Sequence, residues 1–374
     1  MKCIYLDYAA TTPVDPRVAN KMMHSLMPEG VFGNASSTHV AGQLAKKAVD
    51  EAREQVAETL HASSDEIIWT SGATESNNLA LKGASTLYQG KGKHIITMKT
   101  EHSSVTDVCQ HLEKKGFFVT YLTPEPNGLL NIEKFHAALR EDTMLVSIMQ
   151  VNNETGVIQD IDALSHHTSE RGILLHVDAA QAIGKTEWNL QKTPVDLVSL
   201  SAHKVYGPKG IGALYVRRKP RIRVEAQMHG GGHEQGMRSG TLPVHQIVGM
   251  GEAFLLARKM YAEDYKKISE MKKYFYETLR QKTDVIVNGD VKKSVPHILN
   301  CRFPGVDAKA FMKKNPDIAI STGSACHAKG DEPSYVLRAM GLTTEEALCS
   351  LRFSFGRFTT QEEIDGCIMR LLRR

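Results

Sequence analysis

Short apolar runs alternate with amphipathic stretches through the first two thirds of this chain, and that alternation narrows its fold more than any other feature. Apolar, mostly β-branched segments at 66–70, 94–98, 117–122, 144–149, 173–177, 197–199 and 211–216 read as strands. Between them, apolar residues recur at helical spacing over 41–59, 76–87, 105–115, 132–139 and 164–170. Strands alternating with helices predict an α/β domain built on a mainly parallel sheet. Such sheets bind ligands at the carboxyl ends of their strands, in the loops that follow. From about His245 the rhythm changes: 247–283 reads as one long charged helix, followed by shorter elements to Arg374. The expected organisation is a large domain over 13–258 with a smaller α+β domain formed by 1–12 and 259–374, and 374 residues suffice for such a pair.

Bulk properties exclude several classes of function. The 46 basic and 42 acidic residues leave a net charge of +4 spread along the chain, with only short clusters such as Arg217-Arg218-Lys219. That is no footprint for nucleic acid. No apolar run approaches the roughly 18 residues that a membrane span needs. Asp7 interrupts any signal-peptide core at once, so a cytoplasmic protein is expected. The six cysteines (3, 109, 301, 326, 349 and 367) contain no CxxC pair, which argues against a disulfide framework or a zinc finger. Most of them read as small buried hydrophobes.

Four predicted strand ends carry chemistry. At the first, Ser201, His203 and Lys204 arrive together before the turn Gly207-Pro208-Lys209-Gly210. A lysine among cations and polar groups can have its amine pKa lowered, which suits Schiff-base formation, and Ser201 and His203 can hold a phosphate beside it. At the second, the apolar run 173–177 ends in Asp178-Ala179-Ala180-Gln181. Asp178 can cap a helix, or pair with the protonated ring nitrogen of a pyridine cofactor. At the third, Ser71-Gly72-Ala73-Thr74-Glu75-Ser76-Asn77 opens a helix whose free N–H groups make an anion site; lacking a Walker lysine, it disfavours nucleotide phosphate. At the fourth, His102 follows Thr100-Glu101, where an imidazole can stack on a flat ring and move protons. Each has an ordinary structural reading when taken alone. Their convergence on one rim is the stronger signal.

With Tyr5-Leu6-Asp7-Tyr8-Ala9-Ala10-Thr11-Thr12-Pro13, Arg238-Ser239-Gly240-Thr241 and Arg352-Phe353-Ser354-Phe355-Gly356-Arg357, these segments resemble the cysteine desulfurases, in the branch of NifS and IscS within class V of the fold-type I pyridoxal-phosphate enzymes. The resemblance runs nearly end to end. The segment Ser321-Thr322-Gly323-Ser324-Ala325-Cys326-His327-Ala328-Lys329-Gly330 is similar to that family's catalytic-cysteine loop. The resemblance implies a homodimer that removes sulfur from L-cysteine. It implies that Lys204 carries pyridoxal 5'-phosphate, that Asp178 faces the ring nitrogen, that Gln181 bonds the phenolic oxygen and that His102 stacks on the ring. Ala73, Thr74, Ser201 and His203, with Thr241 from the other subunit, are expected at the phosphate. Asn153, Arg352 and Asn34 are expected at the cofactor and substrate, the guanidinium forking onto the carboxylate. Cys326 is expected to take the sulfur as a persulfide and pass it to an acceptor protein, for iron–sulfur cluster assembly or for thiolation of tRNA or cofactors.

There are departures from the pattern. His327-Ala328-Lys329 stands where small hydroxyl residues commonly follow the cysteine, Ala35 stands where proline is usual, and the chain stops at Arg374 where housekeeping members have a longer tail. The first two bear on loop dynamics, and the last leaves the sulfur acceptor open. His229 and His233 suggest a metal pair, but no third ligand or HExxH pattern accompanies them, and no metal is expected. The alternatives are a class V aminotransferase or selenocysteine lyase, and a non-catalytic protein retaining the fold. The Cys326 segment weighs against a transaminase, and the complete set of cofactor residues weighs against the last.

Overall fold

The computed structural model describes residues 3–323 and 332–373. Its centre is a seven-stranded sheet in the order Ile67–Thr70, Gly212–Val216, Leu197–Ser201, Leu174–Asp178, Thr143–Met149, His94–Met98, Phe118–Leu122. The ladders joining the last five of these strands are all parallel. Gly212–Val216 runs against both of its neighbours, so the sheet is mixed and mainly parallel, as the alternation predicts. Six strands are buried along their whole length; only the edge strand Phe118–Leu122 meets solvent. Burial on both faces is why they appear in the sequence as mainly apolar runs without strict alternation.

The pleat sends successive side chains to opposite faces. Ile96, Val146, Leu175 and Val198 join one core with Val49, Val56 and Phe254 from the helices Val40–Leu60 and Val244–Lys282. Their neighbours Ile95, Leu145, Leu174 and Leu197 join another with Leu81 and Val105, from the helices Ala73–Tyr88 and Ser103–Glu113.

A separate core lies toward the other end of the 39-residue helix Val244–Lys282. There Phe275, Phe303, Phe353 and Phe355 pack on the antiparallel strands Ile286–Val287, Ile298–Arg302 and Ser350–Ser354. The N-terminal strand Ile4–Tyr5 pairs in parallel with Ile318–Ala319, and Asp7 bridges Ser354.

Helix starts differ from the sequence expectation in a consistent direction. The observed helices Ala73–Tyr88, Ser103–Glu113 and Ile161–Glu170 begin two or three residues before the stretches expected at 76, 105 and 164. The first turns of Ala73–Tyr88 and Ser103–Glu113 carry Thr74-Glu75 and Ser103-Ser104, so apolar periodicity does not register them, whereas Ile161 is itself apolar and buried. Caps such as Asp160, which accepts from Ala163 N–H, are the signal that does. The helix Pro16–His24 was not expected either, although Asp15 caps it and Pro16 opens it. Of the cysteines, Cys109, Cys301 and Cys367 are buried; burial pushes the Cys109 and Cys301 thiols up to about 12 and raises Cys367 as well.

Candidate active site

A cavity of about 480 Å³ opens at the carboxyl ends of the parallel strands. Lining it are Ala73, Thr74, His102, Asn153, Asp178, Gln181, Ser201, His203, Lys204 and Arg352. The structure thus brings together ten residues singled out in the sequence. It leaves Thr241 and Asn34 outside, both exposed, with the Asn34 side chain accepting from Ser36 N–H at 2.9 Å. Cys326 lies outside the described residues, between Gly323, which lines the cavity, and Ser334, which caps the following helix Tyr335–Ala339.

One end of the cavity suits an anion. The helix Ala73–Tyr88 starts there, and its N-cap is Gly72, which has no side chain to satisfy the first-turn N–H groups. Gly72 sits at φ +153°, where side chains are rarely tolerated. A Cβ on Gly212 of the adjoining strand would stand 2.6 Å from Gly72 Cα, so this loop can close on the sheet only because residue 212 is glycine. Ser201 Oγ is buried there without a partner among the described residues. His203 bonds Thr11 Oγ1 through Nδ1 at 3.2 Å, and burial, helped by Lys204 and Lys209, pushes its imidazole down to about 4.

At the strand end of Leu174–Asp178, the Asp178 carboxylate accepts from Ala180 N–H at 2.9 Å and from Asn77 Nδ2 at 2.8 Å. Asn77 also donates to Ser104 Oγ at 2.8 Å, and Ser104 Oγ lies 2.8 Å from His102 Nδ1. Because His102 Nδ1 accepts from Ser104 N–H as well, the neutral ring carries its proton on Nε2. Acid and imidazole are therefore aligned by one continuous chain of hydrogen bonds.

Lys204 Nζ donates to the carbonyls of Ala9 and Ala10, both at 2.7 Å. The backbone just beyond it is unusual, with Tyr206 in the left-handed region at φ +64°. Tyr206 N–H donates to Thr12 Oγ1 at 2.8 Å and its hydroxyl accepts from Arg357 N–H at 2.6 Å, while the Arg357 guanidinium lies 4.3 Å from the ring centroid. These contacts hold the lysine turn from behind.

Arg352 lines another side of the cavity. It donates to Asn153 carbonyl and to Asp7 Oδ1, both at 2.8 Å, and its Nε is buried without a partner among the described residues, as is Asn153 Oδ1. Glu154 lines the same wall and accepts from Ser334 Oγ. Its burial pushes that carboxyl up to about 7, despite the Ser334 hydroxyl and the charge of Arg352.

An uncapped helix start with an orphan hydroxyl, a fixed carboxylate and an amine in one cavity form a donor set that fits pyridoxal phosphate. Sequence reasoning missed three contributors: Glu154, the linking role of Asn77, and Lys185, which bonds Gln181. Only the Glu75-Ser76-Asn77 segment gave any signal for Asn77, and none of its long-range partners is visible from spacing. Among the described residues no three His, Cys, Asp or Glu gather to hold a metal ion, and no helix is long and apolar enough to cross a membrane.

Comparison with known proteins agrees with this geometry. A profile of the family described as aminotransferase class-V matches residues 4–366. A protein of Vibrio vulnificus named cysteine desulfurase IscS is 58% identical over 369 residues, covering 98% of this chain and 91% of that one. A solved structure titled NifS-like protein superposes with a TM-score of 0.92 at 33% identity, covering 99% and 98% of the two chains. Another, titled SspA in complex with cysteine, gives 0.85 at 37% identity over 95% and 99%.

Proposed function

The chain belongs to the aminotransferase class-V family and is a pyridoxal-phosphate-dependent cysteine desulfurase, and on that premise we propose that it converts L-cysteine to L-alanine while Cys326 takes the sulfur as a persulfide. The observation that carries the assignment of roles is the meeting of Lys204, Asp178 and the uncapped helix start around one cavity.

Bound pyridoxal phosphate supplies an electron sink for the bond changes at the substrate's α-carbon. Lys204 is the residue that would carry it, and its amine would be the base that moves the α-proton. Asp178, held by Asn77 and Ala180 N–H, keeps a proton on the ring nitrogen. The free N–H groups of Ala73 and Thr74, with Ser201 and His203, bind the phosphate; Thr241 of a second copy completes that cradle in a homodimer. His102 would stack on the ring, with the proton on its Nε2 available for transfer. Arg352 and Asn153 hold the substrate carboxylate, Asn34 adding a contact. The Cys326 thiolate attacks the substrate sulfur: an S–S bond forms as the Cβ–Sγ bond breaks, and the electron pair and a proton end on the carbon that becomes the alanine methyl group. The persulfide then passes to an acceptor protein, for iron–sulfur cluster assembly or for thiolation, in the cytoplasm. Residues 13–258 serve as the cofactor domain, and 1–12 with 259–374 as the smaller one.

The test uses cysteine labelled at sulfur and mass spectrometry of the peptide containing Cys326. Label is expected on that peptide, and on added scaffold or carrier proteins afterwards. Cys326→Ala should keep the yellow cofactor and lose sulfide release; undiminished release by this variant would overturn the persulfide step.

A further inference from the structure

Lys185 is an amine enclosed by the fold, 7% exposed, with no ion pair among the described residues. It sits on the turn after the strand Leu174–Asp178, its N–H donating to Ala182 carbonyl at 3.0 Å. Burying such a group unpaired with a carboxylate is costly, so the position calls for a reason. Its ammonium donates to Gln181 Oε1. At the other end of that amide, Gln181 Nε2 donates to Ala9 carbonyl at 2.8 Å, the same carbonyl that accepts from Lys204 Nζ at 2.7 Å.

A carbonyl only accepts and an ammonium only donates, so these two partners dictate which way the amide faces. Reversing it would set oxygen against oxygen at Ala9 and N–H against N–H at Lys185. Nε2 carries a second hydrogen, and Gln181 lines the cavity beside Lys204.

We propose that Lys185 is a positioning residue for the cofactor: it holds Gln181 so that an amide N–H, and not the amide oxygen, is offered to the phenolic oxygen of pyridoxal phosphate, favouring that oxygen's ionised form. The inference rests on the cofactor assignment made above. The charged and titratable groups around the amine are the cations Lys204 and Arg352, the buried His297, His203, and, across a small void, Tyr8, Tyr206, Asp264 and Arg357. Burial, with Lys204 and Arg352, pushes the amine down to about 7. Charged or neutral, it still has an N–H for Gln181 Oε1, because Ala9 has already claimed Nε2.

The experiment is a pH titration of the visible absorbance of the wild-type holoenzyme, Lys185→Met, Gln181→Met and the double variant, with circular dichroism as the check on folding. Loss of the donor leaves the phenolate less stabilised, so the transition midpoint should rise by about one pH unit in Lys185→Met. Gln181→Met should shift it the same way, and the double variant no further, since both changes break one chain of contacts. An unmoved midpoint in folded Lys185→Met, or shifts that add in the double variant, overturns the proposal. Should Lys185→Met fail to fold, Lys185→Gln, which still presents N–H to the amide oxygen, is titrated instead. A midpoint near wild type supports the positioning role, and one equal to that of Gln181→Met refutes it. Failure of the cofactor assignment would show separately, as a wild-type chain that develops no visible band with pyridoxal phosphate.

Discussion

Replacing Arg357 by methionine should destabilise this protein more than a surface change can, and the structure says by how much. The guanidinium makes all three of its hydrogen bonds to Asp264 within 3.3 Å and a fourth to Asp15 at 2.8 Å. Both carboxylates are enclosed, their side chains 8% and 2% exposed. Asp15 keeps a second partner in Arg17, at 2.8 Å, whereas Asp264 loses its guanidinium outright. Stranding one buried charge costs about 3–5 kcal/mol, and the retained Arg17 contact places the expected loss near 3 kcal/mol. The lost cation–π contact with Tyr206 adds about 0.5–1 kcal/mol. Since Tyr206 lies two residues beyond Lys204, cofactor affinity should weaken as well. The assay is urea unfolding at neutral pH, paired with pyridoxal-phosphate reconstitution of the cofactor-free chain. In the double variant Arg357→Met with Asp264→Asn, no charge is left stranded at Asp264, and most of the loss should be recovered. A single-variant loss below about 1 kcal/mol, against the buried-pair expectation, would refute the reasoning.

Glu154 gives a pH prediction. Its folded-state carboxyl is raised from 4.5 to about 7, so between those values the native chain holds a proton that the unfolded chain has lost, and stability falls as pH rises. Glu154→Gln should flatten that part of a stability-against-pH curve, worth roughly 3 kcal/mol, and an unchanged slope from pH 4.5 to 7 would count against it. Arg352→Lys keeps the charge but not the fork, so KM for cysteine should rise about 10- to 100-fold in steady-state assays while the cofactor's spectrum is retained. Gly212→Ala puts a Cβ 2.4 Å from Leu200 carbonyl and 2.6 Å from Gly72 Cα, and should lower stability by about 1–3 kcal/mol and weaken cofactor binding, read by thermal unfolding and reconstitution.

The legible parts of the fold are those in which a residue's environment is set by its near neighbours in sequence. Strands such as Thr143–Met149 and Leu197–Ser201 are enclosed on both faces, and their mainly apolar runs announce them. Helix starts at the site were read late because Thr74-Glu75 and Ser103-Ser104 are polar residues of the rim, and the demands of ligand binding displace the apolar period there. The residue types of the site were legible too, because an amine, a carboxylate, an imidazole and a glycine turn each follow a strand.

Sequence alone thus determined the class of fold, the rim on which a ligand sits and the chemical character of the groups around it. Tertiary structure alone decided how those groups are held. Asn77 meets Asp178 across 101 residues of chain, Arg352 meets Asp7 across 345, and Gly212–Val216 takes its reversed place only once both neighbouring strands exist. Periodicity and capping act over a few residues, but a hydrogen bond between buried side chains depends on where separate elements come to rest. Only the packed sheet brings those partners within 3 Å.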